Sequence, residues 1–401
     1  MRRLLLALLL LLPFSIAAAP ADDFGALRKK AEQLRGLTFK KPVPISVVDA
    51  RTLKSVLDAQ LKKEYSEDDW PLMEKTLKAF SLIPPKMNLK AVMAGLLEDQ
   101  VVGLYDPYQK KLFVNDRPVE GSEILGGLAG KDFRLGDVYI LHEMVHALTD
   151  QYFDLNSLPI NDKDDEDRAS AARCVVEGDA TWVMMRYMGE ALNLAPEQQN
   201  QMGDLVLGMN LGRELLGSSI PAYLQENLLI AYLGGMNLVK AAYEKGGFAA
   251  VNRLYTHPPE SMEQVLHPEK YFAGNDPPLQ VRIVPPKAFT SGGWKKVMSG
   301  TWGEFNVRLI LQEWGADEDS ARRASEGWGG DRYEVYAGPD GKLAFAWATV
   351  WDTDRDASEF AEAVGKAKDL AVTREGKTVM LTKGAPSAGV EKSRAPMAPA
   401  A

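Results

Sequence analysis

A single cysteine, Cys174, serves all 401 residues. One thiol excludes an internal disulfide framework, so the fold must rest on its core or on a bound metal. That cysteine also lies far from the N-terminus, where a lipid-attachment signal would need it. Positive charge is in short supply too. Lysine and arginine number 47 against 55 aspartates and glutamates, a net charge of −8 that argues against nucleic acid as a partner. Long apolar runs are scarce, and the clearest is Leu4 to Ala19, behind Met1-Arg2-Arg3 and ahead of Ala19-Pro20-Ala21. Broken by Pro13 and Ser15, that run is short against the ~20 residues needed to span a bilayer. Residues 1–21 therefore read as a secretory signal peptide cleaved after Ala21, which predicts a periplasmic or extracellular protein with no membrane anchor after cleavage.

What remains has the composition of an ordinary globular chain, long enough for one large domain and a small one. Helical spacing marks 22–37, 52–64, 68–82 and 88–98, and "KPVPISVVD" alternates like a short strand. In "QVVGLYDPYQKKLFVND", two runs of β-formers flank Asp106-Pro107, which predicts a hairpin with strands at about 100–105 and 111–115. A glycine-rich loop, "GSEILGGLAGKDFRLG", precedes a helix at 137–155, and further helices are expected at 168–192 and through 196–245. Past the proline pairs at 258–259, 277–278 and 285–286 the texture changes. There the pattern gives a helix at 303–314, a turn at "GWGGD", strands in "RYEVYAG" and "LAFAWATVWD", and a helix at 357–370. The expected organisation is a 22–286 domain, a small α+β unit at 287–384 and a disordered, proline-rich tail at 385–401. No internal repeat is found.

Histidine is scarce as well, at four residues, yet two of them stand four apart in "DVYILHEMVHALTDQYFDL". On a helix, His142 and His146 share a face and can point at one ion, while Glu143, rotated about 100° from His142, can reach a water on that ion. A catalytic zinc takes three protein ligands and keeps a fourth position open. Glu177 in "RCVVEGDATWVMM" is the candidate third ligand: its segment is helical in period, its neighbours are apolar, and a buried glutamate needs a partner. Gly178 beside it costs about 1 kcal/mol relative to alanine in a helix, so another backbone is expected to pass close, the 137–155 helix being one such candidate. Cys174 is the rival ligand, and pairing of Glu177 with Arg173 is the non-catalytic alternative.

"HEMVHALTD" resembles the active-site helix of the gluzincin, thermolysin-like metallopeptidases. His142, Glu143, His146, Ala147, Thr149 and Asp150 stand where that pattern has them. The resemblance implies a zincin-like, mostly helical α+β fold and a single zinc. It makes His142, His146 and Glu177 the ligands and Glu143 the catalytic base. It also implies a substrate-binding edge strand from the hairpin. "HALTDQYFDL", "VVEGDAT" and "LHPEKY" are similar to exported bacterial proteins predicted to be zincins. The pattern departs where the family has an aspartate four residues after the ligand glutamate: here that position is Thr181, which leaves Asp179 and Asp150 as acceptors for the histidine rings.

Peptide hydrolysis needs a donor for the developing oxyanion, for which His267 is preferred over His257, with Tyr255 and Tyr271 as further candidates, while a helix-cap or turn role next to proline is the leading alternative for either histidine. The acidic loop 161–167 is an expected solvated linker, with calcium a lesser alternative. The expected activity is hydrolysis of peptides or proteins. The competing expectations are an envelope protein with a structural zinc and a partner-binding C-terminal unit, or hydrolysis of another amide or ester.

Overall fold

A computed structural model describes residues 24–98, 102–116, 135–162, 164–195, 198, 220–274, 276–284, 289, 292–365, 367 and 369–384. The expected signal peptide, the body of the glycine-rich loop, most of the helical stretch expected at 196–219 and the expected disordered tail lie outside them.

The first body is helical around one small sheet. Helix α1 (Phe24–Arg35) buries Leu27, Ala31 and Leu34, one stripe at three- and four-residue spacing. The side chain of Asp49 caps α2 (Ala50–Glu64) by accepting from Thr52 N. Then come α3 (Asp69–Ala79) and α4 (Leu89–Glu98). The hairpin forms as strands β2 (Gly103–Asp106) and β3 (Lys111–Asn115). Asp106 stabilises its turn by accepting from Tyr108 N and Gln109 N. The strand-like "KPVPISVVD" supplies β1 (Ile45–Val48), which runs parallel to β3, so the order is β1-β3-β2 and β2 is an edge strand with no further strand beside it among the described residues.

Three long helices follow. The HExxH helix is α5 (Leu135–Phe153), and Asp165 caps α6 (Glu166–Ala191) through Arg168 N. Almost every side chain of α6 up to Met185 is buried, because other elements pack around its whole circumference. Helix α7 (Ala222–Thr256) crosses it, with a kink at Gly246 and Gly247. The close approach expected at Gly178 is present, but its partner is α7 and not α5. A methyl group on Gly178 would lie 2.1 Å from the backbone carbon of Gly235, and one on Gly235 would lie 2.1 Å from Cys174 O. Neither backbone can yield, so the two glycines set the crossing point of the helices.

Short helices α8 (Met262–Leu266) and α9 (Pro268–Ala273) lead to a second, wholly antiparallel sheet. Its strands are β4 (Lys295–Gly300), β5 (Trp328–Ala337), β6 (Leu343–Trp351), β7 (Leu370–Glu375) and β8 (Thr378–Lys383), in the order β4-β5-β6-β8-β7. Helices α10 (Gly303–Glu313), α11 (Glu318–Ser325) and α12 (Asp354–Val364) accompany it. "GWGGD" is not a turn: residues 328–331 lie within β5. The glycines there admit a neighbouring chain, since a methyl on Gly330 would lie 2.4 Å from Leu279 O and Leu279 N donates to Gly329 O. Phe80, just after α3, stacks on Phe345 at 4.0 Å and meets Trp302, Tyr333 and Trp347 edge-on, so one apolar core runs from the first body into this sheet. The architecture is α+β, 57% helical, with two sheets. No described helix is long and apolar enough to cross a membrane.

Candidate functional site

Helices α5 and α6 bring His142, His146 and Glu177 together, all buried. The Nε2 atoms of the two histidines are 3.0 Å apart, and Glu177 Oε2 lies 3.2 Å from His142 Nε2 and 3.5 Å from His146 Nε2. Zinc bonds of about 2.0–2.2 Å at tetrahedral angles place ligand atoms about 3.3–3.6 Å apart, so the three atoms are already within a few tenths of an ångström of a zinc triangle. Two neutral nitrogen donors and one carboxylate are also the donor set that suits such an ion.

The charges in this cluster show how strongly it calls for a cation. Burial alone would raise Glu177, yet the His146 and His142 rings overcome it and hold the carboxyl down to about 2. Burial would likewise lower His146, but the Glu177 carboxylate outweighs it and lifts the ring to about 8. His142 stays below its ordinary value because of burial. A proton on His146 thus supplies the positive charge that Glu177 needs. Metal binding at such sites displaces a proton of this kind.

Glu143 leaves the trio and turns to the sheet, where its Oε2 accepts from Tyr105 N on β2. Burial raises its carboxyl to about 7, against the pull of His146 and of that backbone donor. The register explains why Tyr105 N is available. Asn115 N bonds Val102 O, so in an antiparallel pair Leu104 and Asp106 face β3 while Gly103 and Tyr105 turn their backbone groups to the open edge. Of the two candidate strands for peptide addition, β2 is therefore the one that, among the described residues, presents an open edge at Glu143.

The remaining expectations divide. Cys174 is not among the converging atoms; its Sγ contacts Met262 Sδ and Ile230 O, and burial pushes the thiol up to about 12. Asp150 does not serve a histidine ring, because it accepts from Tyr105 Oη, Lys110 Nζ and Leu155 N. Asp179 is taken by buried Arg35 (2.7 Å) and Tyr255 Oη, so Tyr255 is not a free donor either. Nδ1 of both His142 and His146 is buried without a partner among the described residues. His267 is not brought to the trio: its Nε2 lies 2.9 Å from Glu304 Oε1 of α10, at the junction of α8 and α9. His257 is the C-cap of α7, and Tyr271 Oη donates to its carbonyl. In the acidic loop, Asp162 accepts from the backbone of Asp164 and Asp165, which are local turn contacts.

Residues 293–388 match a domain family of unknown function, DUF8575. The chain matches no curated protein. Among solved structures it is similar to a provisionally assigned hydrolase with a novel fold from Chloroflexus aurantiacus, at 18% identity and a TM-score of 0.36, covering 64% of this chain and 93% of that one. The second sheet is thus where the family match falls, and the trio lies outside it.

Tyr232 is the site residue that the sequence did not reveal. It comes from α7, and its ring centre is 6.0 Å from that of His142. Burial, and then the charges of Glu177 and Glu143, hold its phenol well above the ordinary value, so it keeps its proton and can donate. The Gly178–Gly235 crossing places it there. Nothing in "LLIAYLGGM" distinguishes this tyrosine from a core aromatic until the crossing is known.

Proposed function

We propose that the chain is an exported zinc metallopeptidase of the gluzincin type that hydrolyses peptide bonds. One observation carries this reading: Nε2 of His142, Nε2 of His146 and Oε2 of Glu177 converge at 3.0–3.5 Å, with Glu143 held beside them on the open edge of β2. His142, His146 and Glu177 would hold the ion. When bound, zinc supplies Lewis acidity toward a carbonyl oxygen and lowers the pKa of a water.

The rest is the work of the chain's own groups. A peptide added along β2 pairs with the backbone of Gly103 and with the carbonyl of Tyr105, the Tyr105 N–H being engaged by Glu143; such pairing fixes its direction without requiring a particular side chain. Glu143, fixed by Tyr105 N and raised toward neutrality, takes a proton from the attacking water and returns it to the leaving amine. Tyr232, protonated and with its ring 6.0 Å from that of His142, is nearer to the trio than His267 and the better candidate to donate to the oxyanion. Export rests on residues 1–21 of the sequence.

The test is Glu143→Gln. Glutamine keeps the shape of the side chain but cannot take the proton, so cleavage of any peptide the wild type cuts should fall by ~10²- to 10⁴-fold at equal zinc content and unchanged melting temperature. Chelation should stop the wild-type reaction. Equal rates for the two proteins would remove Glu143 as the base, and no chelator-sensitive cleavage across a broad peptide library would favour a zinc-stapled scaffold.

A further inference from the structure

Arg173 stands on α6 one turn before Glu177, so the two side chains share a face of that helix. It is 6% exposed, and among the described residues its one hydrogen bond runs from Nη2 to Ser170 Oγ at 2.6 Å. Nη1 is buried with no partner among the described residues. Glu177 turns to the histidines and does not pair with Arg173 as the sequence allows; burial bears hardest on the guanidinium, and the charges of Tyr65, of Glu64 at the end of α2 and of Glu177 act on it.

A guanidinium cannot shed its proton in a folded protein, so burial leaves a full charge to be balanced. Once a cation claims Glu177, even that distant balance weakens. Helical side chains lean toward the N-terminus, as the contact with Ser170 illustrates, which puts the guanidinium on the order of 5–10 Å from the Glu177 carboxylate. An extended peptide advances about 3.3–3.6 Å per residue, so an acid group ~two or three residues from the scissile bond would reach the fork. A planar guanidinium with free N–H groups fits a carboxylate in two-point contact.

We propose that Arg173 anchors a carboxylate of the substrate and selects peptides that carry one about two or three residues from the cleaved bond. The inference rests on the peptidase reading above. The acid is either the peptide's own C-terminus or an aspartate or glutamate side chain, and the experiment separates the two.

Binding is measured on Glu143→Gln protein, where no turnover intervenes, so the outcome is independent of whether cleavage is ever seen. One probe pair is acetyl-trialanine as the free acid and as the amide; the other is acetyl-Ala-Glu-Ala-amide and its glutamine analogue. One acid should bind ~10- to 100-fold more tightly than its neutral partner, and adding Arg173→Met should erase that ratio while Arg173→Lys keeps part of it. Preference within the first pair assigns the C-terminus, and within the second an acidic side chain. The methionine variant should melt no lower than its parent, since replacing an unbalanced buried charge by an apolar side chain is neutral or stabilising; a structural arginine would not behave so. Equal binding within both pairs overturns the proposal even if the methionine variant does not fold, and so does a preference that survives Arg173→Met.

Discussion

The trio His142, His146 and Glu177 and the trio Glu263, Asp276 and Asp352 each place three ligand-type atoms within 4.8 Å, and they differ in what lies between those atoms. In the second, Lys270 Nζ sits 2.6 Å from Glu263, 2.7 Å from Asp276 and 3.3 Å from Asp352. The protein has supplied its own cation, and the result is a staple that ties α9 to the segment following β6. In the first trio no lysine or arginine among the described residues reaches the converging atoms, and among them a shared proton is what balances Glu177. Donor chemistry points the same way, since carboxylates accept an ammonium while two imidazole nitrogens favour a transition metal. A ligand-rich cluster is informative only when the charge inside it is missing.

The largest effect that could break this contrast is on metal content. Glu177→Ala should abolish stoichiometric zinc and with it any cleavage, while Glu263→Ala should leave one zinc per chain. Elemental analysis of both variants, prepared without chelator, checks it. Zinc retained by the Glu177 variant, or lost from the Glu263 variant, would reverse the roles given to the two trios.

A smaller effect turns the staple into a site. Lys270→Met leaves three carboxylates facing one another with no cation, so the melting temperature should fall by the equivalent of about 1–2 kcal/mol, a figure kept low because two of the acids are partly exposed. Oxygen ligands suit calcium, so millimolar calcium should restore the loss in the variant and do little to the wild type. A melting curve indifferent to both the substitution and calcium would mean that Lys270 merely lies near the acids.

The candidate metal trio was legible in the sequence because its chemistry demands a fixed helical spacing: two histidines four apart with a glutamate between, and a glutamate set among apolar residues of a second helix. The hairpin was legible because β-formers flank Asp106-Pro107. Its edge was not, since only the pairing of β1 with β3 shows that β2 is the free strand. Gly178 announced a close approach without saying to what. The partner is another glycine 57 positions away, and Tyr232 enters the site through that crossing. "GWGGD" misled because glycine serves both turns and strands crowded by a neighbour, here Leu279. Helix α11 passed unread because "EDSARRAS" buries only two alanines and a serine. Strands β4, β7 and β8 are short and rich in polar residues, so alternation barely registers in them.

The smallest expected effect concerns His267, the histidine that sequence placed in catalysis and the structure pairs with Glu304. Its hydrogen bond to Glu304 raises the ring above its ordinary value of 6.5, against partial burial. Burial of Glu304 lifts that carboxyl as well, so the pair shares a proton more than it separates charge, and the stabilisation is held to about 1 kcal/mol or less. A histidine raised in the folded state contributes stability that is fully present below its unfolded pKa and fades as the pH rises through the folded one. The wild type should therefore lose a little stability on going from pH 6 upward through the raised value, and His267→Gln should flatten that part of the curve. Denaturant melts across this range, together with peptide cleavage at pH 7, decide between the two roles. An altered pH slope with unchanged turnover fits the pair with Glu304, whereas a collapse of turnover with an unchanged slope would return His267 to the reaction.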